Sequence, residues 1–183
     1  LDMVRKNCTV EDIVEINRKL AGHPEITAAY NWIVGLPGET TDDIRATRAL
    51  VLQLIRENPR AIIFTPNRFR PLPGTDLYDE AVRRGYVKPT RLEDWINQEV
   101  EGDFQPPWYT PGLTRQIRMF QVTSYFVDNK LFKVETGSTL RFRIYRFLAR
   151  IYTPFARLRF KYGITAMLLD YKLFHWFVKK YQD

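Results

Sequence analysis

The chain has 183 residues, of which 45% are apolar and 27% charged, a balance that excludes general disorder and allows one ordinary core. Its single cysteine, Cys8, excludes an internal disulfide framework and a cysteine-rich metal site built by this chain alone. Because no apolar run approaches the roughly 20 residues of a spanning helix and no signal-peptide pattern opens the chain, we expect a cytoplasmic setting.

The formal charge of +7 is unevenly distributed along the chain. Residues 1–137 carry 18 Lys and Arg against 19 Asp and Glu, whereas residues 138–183 carry 10 against 2. This change in surface charge predicts two units with a boundary near Thr136–Ser138.

The first predicted elements are a helix and a strand that ends in a tight loop. Thr9 and Asp12 form a capping pattern before apolar residues at helical spacing, and Gly22 ends this helix. Ile26–Val34 is rich in β-branched and aromatic residues, which favours a strand, and Gly35–Gly38 closes it abruptly.

The same order of elements then repeats. Thr40–Asp43 caps a second helix that Asn58–Pro59 stops. Ala61–Thr65 is a short apolar run of the kind found in strands covered on both faces, and Pro71–Thr75 forms the loop after it. A short helix over Leu77–Arg84 follows. Helices that alternate with strands through short loops predict a parallel α/β sheet.

The remaining elements are less regular. Residues 86–113 contain several prolines and tryptophans and predict an irregular segment packed by its aromatic side chains. A helix is predicted over residues 114–134, and another starts at about Ser138, with a break at Pro154 and an interruption at Gly163.

The two Pro/Gly loops are the first candidates for a functional site. Gly35–Gly38 and Pro71–Thr75 each follow a predicted parallel strand, and α/β folds bind ligands beyond the carboxyl ends of such strands. Glycine lets a backbone approach a ligand closely. The alternative is that these glycines only make tight turns between strand and helix.

The order of four segments closely resembles the second half of the radical S-adenosylmethionine (SAM) barrel: Leu1–Lys6, Thr9–Ile13, Trp32–Thr40 and Pro71–Tyr78. The resemblance covers roughly residues 1–110 and depends on GLPGET and PLPGT occurring together. It is strongest to the subfamily that often carries an N-terminal cobalamin-binding domain, which includes magnesium-protoporphyrin IX monomethyl ester oxidative cyclase.

This resemblance implies the C-terminal part of a partial (β/α)₆ TIM-type barrel followed by a mostly helical extension. Residues 1–90 would hold the fifth and sixth strands, residues 91–137 an irregular segment and a helix packed on the barrel, and residues 138–183 a basic aromatic tail. The family holds a 4Fe–4S cluster on a CxxxCxxC motif and cleaves SAM to a 5′-deoxyadenosyl radical. Because this chain has no CxxxCxxC motif, the cluster would lie in a missing N-terminal part of the same protein, and the chain alone would be inactive.

The resemblance also implies a substrate and a set of cofactor contacts. Relatives in the subfamily act on hydrophobic or tetrapyrrole small molecules, and cobalamin is a further candidate cofactor. In the fifth-strand motif GxIxGxxE, Asn31 takes the first glycine position, Ile33 the aliphatic one and Gly35 the second glycine, whereas Glu39 falls one residue late. No residue is assigned to catalysis or to a metal. The predicted cofactor-binding residues are Asn31, Ile33, Gly35, Leu36, Pro37, Gly38, Glu39, Pro73 and Gly74.

Several polar residues have two interpretations. Glu39 is either a ligand contact or a carboxylate at the N-terminus of the next helix. Arg68 and Arg70 either meet an anionic group, such as a carboxylate of SAM or of the substrate, or are solvated loop residues. His23 and His175 have no partner at metal-ligand spacing, which indicates structural or surface roles.

The tail combines aromatic residues with cations. Between residues 138 and 183, 12 of 46 residues are aromatic and they alternate with arginines. This pattern suits a helix that lies on an anionic membrane surface, so peripheral membrane contact is one expected partner. The alternative is a helical module that packs its aromatics on the barrel. Nucleic acid is disfavoured because no binding motif accompanies the charge. The rival to an enzyme is a non-enzymatic membrane-docking or binding module that retains barrel remnants.

Overall fold

The computed structural model describes residues 6–99, 105–128, 140–166 and 170–172. The predicted boundary at Thr136–Ser138 and His175 lie outside these residues. In chain order, the described elements are α1 (Val10–Ala21), β1 (Ala29–Tyr30), β2 (Ile33–Val34), α2 (Thr41–Glu57), β3 (Ile62–Ile63), β4 (Asn67–Arg68), α3 (Asp76–Arg83), α4 (Leu92–Glu99), α5 (Pro111–Val127) and α6 (Leu140–Tyr162).

The first two helices begin with the capping boxes that the sequence predicts. The Thr9 side chain accepts a hydrogen bond from the Asp12 N–H (3.1 Å), and the Asp12 carboxylate accepts one from the Thr9 N–H (2.7 Å). Thr40 and Asp43 form the same pair at the start of α2. These boxes satisfy N–H groups that the first helical turn leaves open, and the second one fixes the point at which the loop after β2 ends.

The strands pair in parallel, as the sequence predicts. Ala29 pairs with Ile62 in β1–β3, and Ile33 pairs with Asn67 in β2–β4. Hydrogen bonds from the N–H of Phe64 to the carbonyl of Tyr30 (3.0 Å) and from Asn67 to Trp32 (2.9 Å) join the two pairs. The two pairs therefore form one ladder between two strand runs. Two runs close no barrel, so the (β/α)₆ barrel stays a prediction.

The ladder contains one extra residue in its second run. Two residues, 31–32, separate β1 from β2, whereas three residues, 64–66, separate β3 from β4. Pro66 lies in this insertion, where its missing N–H costs no ladder hydrogen bond. The insertion explains why the ladder divides into two short pieces.

Helices cover only one face of this ladder within the described residues. Val34 and Ile63 are fully buried in a core with Ile44 of α2, and the other members of that core include Leu113, Ile117 and Phe120 of α5 and Phe160 of α6. On the opposite face Ile33 is 53% exposed and Phe64 is 45% exposed. The described residues therefore cover the second strand on one face, and coverage of Phe64's side stays a prediction.

The segment after residue 86 is more regular than the sequence predicts. α4 occupies Leu92–Glu99 within the segment that was expected to be irregular. α5 starts at Pro111 rather than at Thr114, because Thr110 caps it through the N–H of Leu113 (3.1 Å). The helix ends at Val127 rather than near Val134, because the backbone of Asp128 is extended. Proline is well suited to the first helical turn, where no N–H is needed.

α6 passes through Pro154 without the predicted break. Proline at 154 has no N–H for the helical hydrogen bond to the carbonyl of Arg150, and both residues are exposed, so the solvent-facing side of the helix tolerates the change. Gly163 ends the helix as predicted: its φ is 68°, and the N–H of Ile164 bonds back to the carbonyl of Arg159 (3.1 Å).

α6 is anchored to the rest of the fold, mainly against α5 and also against α2. The rings of Phe120 and Phe160 meet edge to face at 5.1 Å. Arg48 of α2 is buried and donates a hydrogen bond to the carbonyl of Phe160. Arg159 is buried and forms an ion pair with Asp170. The described part of the basic segment therefore packs on the fold. None of the described helices is both long enough and apolar enough to cross a membrane.

Candidate functional site

The two Pro/Gly loops lie at the same edge of the ladder, because they follow neighbouring parallel strands. Three of their glycines have positive φ: 81° at Gly35, 88° at Gly38 and 82° at Gly74. Side chains other than glycine adopt this backbone conformation at a cost. The glycines are therefore required for the turns, and any role in binding comes in addition.

Glu39 closes the first loop on itself. Its carboxylate accepts a hydrogen bond from the N–H of Gly35, and its own N–H bonds to the carbonyl of Leu36 (3.0 Å). Burial raises the pKa of the Glu39 carboxyl to about 7, although the N–H groups of Gly35 and Leu36 act in the opposite direction. The carboxylate thus binds the backbone of its own loop. This role differs from a ligand contact and from a charge at the helix N-terminus, the two roles that the sequence suggests.

Trp108 and Tyr109 pack against the same loop, and sequence reasoning missed both. The indole N–H of Trp108 donates to the carbonyl of Gly35 (3.0 Å). The Tyr109 hydroxyl lies so close to Gly35 that a Cβ at this position would overlap it. This hydroxyl is buried without a hydrogen-bond partner among the described residues, and burial raises the pKa of Tyr109 to about 12. The only sequence signal is an aromatic pair between Pro107 and Pro111.

The predicted contact residues of the strand lie on the bare face of the ladder. Asn31 and Ile33 are exposed, whereas Trp32 and Val34 between and after them are half-buried and buried. This alternation matches the expected period of two. In the loop, Leu36 is half-buried and Pro37 buried, so the loop itself presents less surface than the strand.

The second loop is more open than the first. Pro73 and Gly74 are exposed, and a Cβ on Gly74 would meet nothing within 4 Å. The Thr75 hydroxyl donates to the carbonyl of Leu72 (2.8 Å), and the same side chain caps α3. This loop is held by its own backbone and cap.

The arginines after the second strand have different surroundings. Arg68 donates from Nε and Nη2 to the side-chain oxygen of Gln121 on α5 (3.2 and 3.0 Å), and also bonds to the Tyr171 hydroxyl (3.0 Å). It therefore faces the helices. Arg70 is exposed, and Gly38 of the first loop lies near the guanidinium of Arg84.

The remaining candidates show surface roles. His23 is exposed and hydrogen-bonded through Nδ1 to Glu25 (3.0 Å). Cys8 is a free thiol at intermediate exposure. In the part of the chain that the structure describes, no three His, Cys, Asp or Glu side chains lie together as a metal site would need.

The chain is similar to bacterial enzymes named tRNA-2-methylthio-N(6)-dimethylallyladenosine synthase. It is 32% identical to the Aeromonas hydrophila enzyme over 99 residues, 53% of this chain and 20% of that enzyme. It is 32% identical to the Pasteurella multocida enzyme over 102 residues, 54% of this chain and 22% of that enzyme. For the Escherichia coli enzyme the identity is 33% over 106 residues, 54% of this chain and 21% of that enzyme. The chain thus spans about a fifth of the length of these curated relatives.

No protein-family model matches the chain, and no solved structure matches it. The named synthases are radical SAM enzymes, so the comparison supports the radical SAM class, with SAM and iron–sulfur clusters as the cofactors of that class. It gives no support to the cobalamin-binding, cyclase-like subfamily or to a tetrapyrrole substrate. In the described residues, the glycines and threonines of the GLPGET and PLPGT loops form turns and helix caps, and these contacts identify no substrate.

Proposed function

We propose that this chain is the C-terminal part of a radical SAM enzyme and that the run from Asn31 to Glu39 contributes one wall of its SAM site. One observation carries the proposal: a parallel ladder has an exposed apolar face beside two glycine loops at its carboxyl edge. The similarity to radical SAM synthases supports it independently.

The residues fit the adenine part of SAM better on the strand than in the loop. Ile33 offers an exposed aliphatic side chain of the kind that packs on a planar base, and Asn31 offers an amide on the same face. The N–H and carbonyl of Gly35 are already engaged by Glu39 and Trp108. We therefore assign the contact to Ile33 and Asn31, and the loop residues to holding the strand end rigid.

SAM bound to a 4Fe–4S cluster would supply the 5′-deoxyadenosyl radical. Because the chain has one cysteine and the CxxxCxxC motif needs three, we assign the cluster ligands to the N-terminal part of the same protein. The bare face of the ladder supports this partner: Ile33 and Phe64 are both more than two-fifths exposed. Further strands of a barrel would cover such a face.

The substrate has two candidates. The subfamily resemblance suggests a hydrophobic or tetrapyrrole small molecule, which the relatives do not support. The name of the relatives suggests a tRNA adenosine. We favour the tRNA adenosine, because the chain is similar in sequence to enzymes that are named for a tRNA adenosine.

The test uses the longer protein that the proposal requires. Its upstream coding sequence should contain CxxxCxxC, and anaerobic reconstitution with iron, sulfide and SAM should give 5′-deoxyadenosine. Ile33→Ala should raise the KM for SAM roughly five- to tenfold, because about 1 kcal/mol or more of apolar contact is lost. Val87→Ser, at a surface position 82% exposed, serves as the control.

Two results would overturn the proposal. An upstream sequence without CxxxCxxC would favour the non-enzymatic module, and an Ile33→Ala enzyme with unchanged KM would remove this strand from the SAM site. A third result would show that the cluster does not need an N-terminal part: the 183-residue chain alone would bind a cluster and produce 5′-deoxyadenosine. Methylthiolation of an adenosine in tRNA transcripts, compared with turnover of a porphyrin ester, separates the two substrates.

A further inference from the structure

α6 carries an exposed apolar stripe that the strand-end site does not use. Five apolar side chains follow one another at alternating spacings of three and four residues and are between 48% and 63% exposed: Leu148, Ile151, Phe155, Leu158 and Tyr162. This spacing places them along one side of a helix. Such a continuous apolar stripe differs from the scattered apolar residues that any protein surface shows.

A stripe of cations runs beside the apolar one. Arg143, Arg150, Arg157 and Lys161 are exposed and recur at spacings of seven or four residues, which aligns them on a neighbouring side of the helix. Arg157 also donates from Nε to the carbonyl of Phe126 (3.0 Å), so it lies at the edge of this stripe nearest the fold. The sequence of α6 contains no Asp or Glu. The outward surface is therefore apolar along one side and uniformly cationic along the next.

The third side of α6 fixes this orientation. Thr153, Ala156 and Phe160 are buried against the fold. Arg48 of α2 donates to the carbonyl of Phe160, and Arg159 pairs with Asp170. Because buried contacts hold the helix, the two outer stripes are presented to a partner without further folding.

We propose that α6 docks flat on an anionic lipid bilayer. Apolar side chains of an interfacial helix enter the boundary between headgroups and acyl chains, and neighbouring cations pair with lipid phosphates. Both stripes then have a partner of matching chemistry. The proposal concerns a different surface from the strand-end site and does not depend on the radical SAM assignment.

Charge complementarity favours lipid over two other occupants. A second copy of α6 would match the heptad-like apolar stripe, but it would bring two uniformly cationic stripes together, and like charges at such positions disfavour pairing. An RNA would neutralise the cations through its phosphates, but it would leave the aliphatic side chains of Leu148, Ile151 and Leu158 without an apolar partner.

The first experiment measures binding of the whole chain to vesicles. We expect sedimentation with vesicles of equimolar phosphatidylcholine and phosphatidylglycerol, weaker binding to phosphatidylcholine alone, and loss of the difference in high salt, which screens charges. Ile151→Ser with Phe155→Ser should weaken binding about tenfold or more. Because both side chains are exposed, the variants should keep the wild-type circular dichroism spectrum, and Val87→Ser should bind as wild type.

The second experiment tests the cations. Arg143→Gln with Arg150→Gln should weaken binding to the anionic vesicles about tenfold and leave the weaker binding to neutral vesicles unchanged, since each cation near such lipids contributes about 1 kcal/mol. Arg56→Gln with Arg91→Gln removes two exposed arginines elsewhere and should have no effect.

Three outcomes would overturn the proposal. The chain binds neither vesicle at low salt; it binds tRNA transcripts through the same arginines while ignoring vesicles; or it forms a dimer that Ile151→Ser with Phe155→Ser dissociates. Light scattering and a tRNA gel-shift assay detect the second and third. These results leave SAM cleavage by the longer protein untouched, so failure here is distinguishable from failure of the radical SAM proposal.

Discussion

The two glycine loops have nearly the same sequence pattern and different environments. In the first loop, Gly35 is enclosed by Tyr109, Trp108 and Glu39. In the second loop, Gly74 has open space where a side chain would be. Both glycines have a positive φ near 80°. The comparison shows that one glycine is required for its backbone conformation alone, whereas the other is required for conformation and for packing.

This difference bears on the proposed SAM site. A loop whose donors and acceptors are satisfied internally provides rigidity, and an open loop is free to contact a ligand or another part of the protein. We therefore expect a substitution at Gly35 to lower stability through backbone strain and lost packing together, and a substitution at Gly74 to lower it through backbone strain alone.

The largest effect is expected from Gly35→Ala. The substitution introduces left-handed strain of about 1–2 kcal/mol and an overlap with Tyr109 that adds about 1–3 kcal/mol. Urea unfolding should therefore show a loss of about 2–5 kcal/mol. Combining it with Tyr109→Ala should cost less than the sum of the two single changes. If the double variant loses as much unfolding free energy as the two single variants together, the Tyr109 ring does not enclose Gly35.

Glu39→Gln should change how stability depends on pH. Burial raises the pKa of Glu39 from 4.5 to about 7 in the folded protein, so the unfolded chain loses its proton first as pH rises. The folded state is then favoured below pH 4.5 and loses up to about 3 kcal/mol between pH 4.5 and 7. Glu39→Gln should abolish this decrease in the free energy of unfolding, measured by urea unfolding at several pH values between 4.5 and 7. Equal slopes would contradict the buried placement of the carboxylate.

Gly74→Ala should cost only the left-handed strain, about 1–2 kcal/mol. Gly38→Ala is the matched comparison, because its φ is 88° and its nearest neighbour is the flexible end of Arg84, which is able to move. Thermal or urea unfolding should give similar losses for the two. A much larger loss at Gly74 would mean that something covers the second loop.

The smallest effect is expected from Trp108→Phe. It removes the indole donor to the carbonyl of Gly35 and should cost about 1 kcal/mol for the hydrogen bond. Trp95→Phe is the control, because Trp95 packs on the same aromatic cluster around Tyr78 and loses the same ring area. The difference between the two unfolding free energies isolates the bond, and a difference of zero would mean that water replaces it without cost.

The sequence predicts best what neighbouring residues decide. The capping boxes at Thr9 and Thr40, the end of α6 at Gly163 and the parallel order of the strands follow from local patterns, and the structure shows each of them. The contacts of Trp108 with Gly35 join residues 73 positions apart. No local pattern encodes such a distance, so the enclosure of the first loop stayed hidden until the fold was known.

Local rules also fail where a neighbour or solvent overrides them. Proline generally breaks helices, but Pro154 is exposed and the packing of Phe160 holds the helix in place, so the lost hydrogen bond does not interrupt it. Residues 92–99 lack a strong apolar period, and yet they form α4. The similarity to radical SAM enzymes was predictable because two loop motifs occur together in order, whereas the subfamily was not, since the described contacts of these loops are to their own backbone and to neighbouring aromatic residues.

The single inserted residue near Pro66 decides which way an arginine faces. Side chains alternate along a strand, so one additional position inverts every later side chain. If the same residues continued as a regular strand without the bulge, Asn67 would pair with Val34 and face the core, and Arg68 would lie on the uncovered side with Ile33. The bulge thus keeps the guanidinium of Arg68 on the side of α5, where it bonds to Gln121, and a slip of the register by one residue here would exchange a neutral wall for a positively charged one.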